Sequence, residues 1–94
     1  MKPSSHWQDD VLAGPGGAMT DEVGVITGPL TLRTTWEDDG DVRLEVQYTG
    51  ADEWYTLTGS PLPAIREKDA HALHTATLTA VKNGHGATAP ATSA

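Results

Sequence analysis

Two histidines, His71 and His74, stand three residues apart in a stretch of helical periodicity, with Glu67 one turn before His71. Positions i, i+3 and i+4 are neighbours on a helix, so side chains spaced this way can reach one metal ion. The pair lacks the H-E-x-x-H spacing and brings no evident third ligand. His74 also falls on the apolar side of the helical wheel. A hydrogen-bonded structural histidine at a sheet–helix boundary is the expected role, with no metal or other cofactor.

Glu37, Asp38, Asp39 and Asp41 resemble a cation-binding cluster, but the D-x-[DN]-x-[DN]-G loop and its later glutamate are absent. The run reads as a solvated turn. Glu45 and Glu53 could pair with these acids for general acid–base work, yet no histidine partner accompanies them. The chain has no G-x-S-x-G, Walker loop or G-x-G-x-x-G, and Ser4, Ser5, Ser60 and Ser93 lie near the ends or before proline. No residue reads as an activated nucleophile, and no catalytic activity is expected.

Trp36, Tyr48, Trp54 and Tyr55 carry the aromatic surface of the central region. In a chain without Phe, Trp36, Tyr48 and Tyr55 are expected to fill the core. Trp54 is the exception: the strand pairing below turns it outward, beside Arg43 and Glu45. Trp is enriched in binding hot spots, so Trp54, Arg43 and Glu45 form the candidate binding site.

The elements that would position these residues are legible in the hydropathy pattern. Leu30, Leu32, Thr34 and Trp36 alternate with Thr31, Arg33, Thr35 and Glu37, as do Val42, Leu44, Val46 and Tyr48 with their neighbours. Both are half-buried strands. A two-residue Asp39-Gly40 loop would set Trp36 against Arg43 and Leu32 against Gln47, apolar opposite polar on one face. A three-residue loop, Asp38-Asp39-Gly40, instead sets Trp36 against Val42, Thr34 against Leu44, Leu32 against Val46, Leu30 against Tyr48 and Arg33 against Glu45. Gly40 then takes the left-handed position.

Glu53–Thr58 is expected as a third strand with Tyr55 and Leu57 inward, and Val23–Thr27 as a further one. Pro63 at the first helical position or Asp69 as N-cap would start a helix that stops at Asn83-Gly84. Its face of Ala70, Leu73, Thr77, Leu78, Ala80 and Val81 would lie on the sheet. The expected fold is α+β: an antiparallel β-meander of three to four strands, then one C-terminal helix packed on one sheet face. This order resembles that of double-stranded-RNA-binding domains in topology alone. No first helix is evident, and Arg66-Glu67-Lys68-Asp69 stands where that family has its basic cluster.

Residues 21–84 are the expected domain. Residues 1–20, with Gly14-Pro15-Gly16-Gly17, and residues 85–94 show no core-forming pattern and are expected as disordered tails. Met19-Thr20-Asp21-Glu22 also reads like a start of translation, which would make residues 1–18 an upstream extension. A domain of roughly 60 residues buries only about 60% of its unfolded surface. With no cysteine among 94 residues, disulfides cannot brace it, and dimerisation is the remaining common staple.

A net charge of -7 disfavours phosphate backbones and anionic membranes. No apolar run approaches the roughly 20 residues that span a bilayer, and none resembles a signal sequence. The sequence therefore points to a cytoplasmic, non-catalytic interaction module that binds a protein partner or itself, as a homodimer, through the outer sheet face or an edge. The alternative is a small-molecule or metal-binding protein using the sheet–helix interface around His74.

Overall fold

The computed structural model describes residues 4–37 and 40–90. In chain order its elements are β1 (Ser4–Leu12), β2 (Ala18–Thr20), β3 (Gly24–Ile26), β4 (Pro29–Glu37), β5 (Asp41–Tyr48), β6 (Tyr55–Thr56), β7 (Leu62–Pro63) and α1 (Glu67–Asn83). The main sheet runs β1-β4-β5-β6, with β7 also pairing β5, while β2 and β3 form a separate two-stranded sheet. The result is an α+β fold with an antiparallel sheet and one C-terminal helix packed against it.

The alternating pattern of β4 and β5 produces the expected register, Leu30 opposite Tyr48 through Trp36 opposite Val42, with Arg33 opposite Glu45. Asp38 and Asp39 lie outside the described residues. Gly40 has φ 95° and donates its N–H to the Glu37 carbonyl at 2.9 Å. One face of this hairpin is the core: Leu30, Leu32, Val42, Leu44 and Val46 are fully buried, and Trp36 nearly so. Ala70, Leu73, His74, Thr77 and Val81 of α1 are buried as well.

The folded part is larger than expected: residues 4–12 add a strand to the main sheet, and residues 85–90 also join the fold. Ser4–Leu12, expected in a tail, pairs along its whole length with β4, from Ser4 opposite Glu37 to Leu12 opposite Pro29. The alternation that identifies β1 is masked in the sequence, since its helix-side residues are Ser5, Trp7, Asp9 and Val11. Two of these are polar because they bond to side chains of α1 rather than pack against aliphatic ones.

The glycine-rich segment is a clasp. Gly14 N–H donates to the Val81 carbonyl at 3.0 Å, His85 N–H to Pro15 at 2.7 Å, Gly86 N–H to Gly16 at 3.0 Å and Ala87 N–H to Gly17 at 2.9 Å. Met19 N–H returns to Ala87 at 2.8 Å. A Cβ on Gly14 would sit 2.4 Å from the Lys82 oxygen, and one on Gly84 2.3 Å from the Pro15 oxygen. These glycines permit backbone contact; they do not loosen the chain. Residues 85–90, also expected in a tail, are thus tied first to the Pro15–Met19 segment and then, through Ala89 N–H, to the Thr58 carbonyl, and Ala87 is buried; residues 91–94 lie outside the described part.

Three further expectations change. The third strand is Tyr55–Thr56, not Glu53–Thr58. Leu57 N–H still donates to the Leu44 carbonyl at 3.0 Å, and the chain then turns toward β2, with Thr58 N–H donating to the Met19 carbonyl at 3.0 Å. Leu57 is buried and Tyr55 half-buried opposite Val46, the inward pair expected. Val23–Thr27 contributes only Gly24–Ile26, in the small sheet. The helix starts at Glu67 behind an extended Arg66. Pro63 is unavailable because it pairs with Asp41 in β7, and the Asp69 carboxylate accepts from Arg66 Nε at 3.3 Å in the first turn. The stop at Asn83-Gly84 is as expected, with Gly84 N–H bonded to the Ala80 carbonyl.

Candidate functional site

His74 sits where α1 crosses β1 and β4, with a relative exposure of 2%. Its Nδ1 lies 2.6 Å from Thr34 Oγ1 and its Nε2 2.7 Å from Asp9 Oδ2. A neutral ring meets both partners if Nε2–H donates to the carboxylate and Nδ1 accepts the Thr34 hydroxyl proton. Trp7 covers the site from β1, its ring centroid 5.2 Å from that of His71 and 6.3 Å from that of His74. A carboxylate, an imidazole and a hydroxyl in series have the connectivity of a nucleophilic triad. Thr34, however, has no exposed surface, so no substrate carbon can reach its oxygen. What the series does is fasten helix to sheet.

The three metal candidates are not brought together. His74 has both ring nitrogens committed, His71 is exposed and packs on Trp7, and Glu67 accepts a hydrogen bond from Ser5. Among the described residues no group of three or more His, Cys, Asp or Glu could hold a metal ion.

The outer sheet face joins two of the three binding candidates through a residue outside that set. Arg33 sits over Trp54 with its guanidinium carbon 3.9 Å from the ring centroid, and donates from Nη2 to Glu45 Oε1 at 3.0 Å. Trp54 is therefore half-buried, not bare as expected. The Arg33–Glu45 register and an outward Trp54 were both legible, and together they imply this stack. Arg43 stands apart, 3.9 Å from Glu37 and exposed. Tyr48, expected in the core, is 42% exposed at the end of β5, beyond the two residues of β6. Partial desolvation, then the Glu53 carboxylate that accepts its hydroxyl proton, raise the Tyr55 phenol above its ordinary value.

The two edges of the main sheet differ. The β6 side is covered: Thr56 donates its N–H to Glu22 Oε1 at 2.7 Å and its hydroxyl to Oε2 at 2.8 Å, while Asp21 N–H donates to the Thr56 carbonyl. These bonds hold the Glu22 carboxyl below the usual carboxylate range. Among the described residues the β1 side is open. Ala13 N–H bonds the Gly28 carbonyl at 3.0 Å, which extends the β1–β4 ladder by one pair and fixes its phase. Odd residues of β1 direct their N–H and C=O to β4, and Ser4, His6, Gln8, Asp10 and Leu12 direct theirs outward. Among the described residues no other strand pairs with that edge.

Comparison with protein-family models, curated proteins and solved structures gave no match.

Proposed function

We propose that this chain is a small non-catalytic interaction module, and that the outward edge of β1 is the surface through which it associates with a protein partner or with itself. The observation that carries the reading is the nine-residue β1, whose outward backbone groups lack a protein partner among the described residues. Proteins usually blunt such edges with Pro, Lys, bulges or very short strands, and β-augmentation is how an open one recruits another chain. Residues 4–12 contain neither Pro nor Lys. On the outer face Arg33 of β4 stands opposite Gln8 and carries Trp54 and Glu45 on its far side, toward β6.

The alternative centred on His74 has less support, because that ring spends both nitrogens inside the fold. Among the described residues no helix is long and apolar enough to cross a membrane. The proposal takes the cytoplasm as the compartment, with which a cysteine-free chain is compatible.

The test is paired capture, with immobilised wild type beside Gln8→Pro and Trp54→Ala. Gln8 directs its N–H outward, so proline there removes no bond within the chain and is tolerated on an edge strand. Proteins retained by wild type and lost with folded Gln8→Pro support the reading. Identical retention by all three sinks it.

A further inference from the structure

We infer that the partner of the open edge is a second copy of this chain, joined β1 to β1 in antiparallel register about a two-fold axis through Gln8. This inference rests on the interaction reading above and names its occupant.

The backbone phase restricts the choice. Since Ser4, His6, Gln8, Asp10 and Leu12 face outward, hydrogen-bonded pairs across the seam must be even with even. A two-fold through Gln8 satisfies this over all nine residues, pairing Gln8 with Gln8, His6 with Asp10 and Ser4 with Leu12 of the second copy. On the other face Trp7 meets Asp9 and Ser5 meets Val11. Centring the axis on Asp9 or Asp10 would set two carboxylates directly opposite each other, which is destabilising. Centring it on Trp7 would leave Leu12 overhanging and lose the His6–Asp10 pairs.

The Gln8 register therefore combines full length with donor–acceptor complementarity, and symmetry makes its imidazole–carboxylate pair occur twice. Of the two charges that would guard this edge, Asp9 is engaged by His74, and Asp10, which accepts from the Thr31 hydroxyl through Oδ1 alone, is the one that His6 of the second copy meets. The axis is normal to the sheet, so the product is one continuous sheet, β6-β5-β4-β1 followed by β1-β4-β5-β6, with both helices on the same side. The clasp and the covered β6 edge leave β1 as the one long open strand among the described residues. A small acidic domain without disulfides gains from such a staple.

Sedimentation velocity on the full chain, from micromolar to several hundred micromolar, tests this. Wild type should pass from monomer to dimer across that range. Gln8→Pro removes the two central bonds and fills the seam with its ring, and should remain monomeric. His6→Asp converts both His–Asp pairs into Asp–Asp pairs and should weaken dimerisation roughly tenfold or more, equivalent to about 1.4 kcal/mol. His6→Lys should restore it. His6 is exposed, so these two variants decide the matter even if Gln8→Pro fails to fold. A wild type that stays monomeric throughout overturns the inference, while capture by the same edge still judges the interaction reading. A dimer unchanged by His6→Asp overturns it too.

Discussion

Thr34→Val changes one buried atom group and nothing in shape. The hydroxyl it removes lies 2.6 Å from His74 Nδ1, and the two residues are 0% and 2% exposed. Water cannot replace the lost partner, so the cost is the bond plus the desolvation of an orphaned ring nitrogen, about 2 kcal/mol. In a domain of this size that lowers Tm by roughly 8–16 °C. Urea titration followed by tryptophan fluorescence reads the same loss, and Thr35→Val on the outer face is the control that should be close to neutral. His74→Leu alone orphans the Thr34 hydroxyl. The double variant Thr34→Val/His74→Leu removes both polar groups, and should cost clearly less than the two single changes added together. Wild-type stability in Thr34→Val, or strict additivity in the cycle, would refute the claim that this pair fastens helix to sheet.

Gly84→Ala should be severely destabilising, by several kcal/mol in denaturant titration, because its Cβ would meet backbone of the clasp at 2.3 Å and its φ is 83°. A Cβ on Gly40 meets nothing closer than 3.8 Å, so the main cost of Gly40→Val is its φ of 95°. A loss of roughly 1–3 kcal/mol follows from holding a β-branched residue there. The Glu22 carboxyl is lowered in the folded state, so its contribution is present above the ordinary value of 4.5 and lost as pH falls through the folded value. Glu22→Gln should therefore flatten the stability profile on the acid side of pH 4.5 and leave its neutral shape intact, as thermal melts across pH will show.

The hairpin was legible because its side chains obey a single rule. Apolar and polar residues alternate, only one loop length keeps like opposite like, and Gly40 supplies the turn. The helix stop was legible from Asn83-Gly84, and the burial of His74 from its place on the wheel. β1 was not, because it buys its place with Ser5 and Asp9 bonded to α1, and polar residues on a core-facing side look like a tail. Nor was the clasp. A run of glycines is written identically whether the chain needs freedom or close approach, and only the facing Gly84-His85-Gly86 distinguishes the two. The shortening of β6 depended on Thr58 bonding to Met19, a contact between segments far apart in sequence. Arg33 could have been found, since its register partner Glu45 and the outward Trp54 were both in view.

The claim that β1 is docked on one side and open on the other is tested most directly by residue-resolved amide exchange along residues 4–12, in a sample dilute enough to be monomeric. Trp7, Asp9 and Val11 should exchange slowly, protected by β4, while His6, Gln8 and Asp10 exchange fast. Uniformly fast exchange along the strand would contradict the account, because β1 would then not be docked and there would be no open edge to bind through.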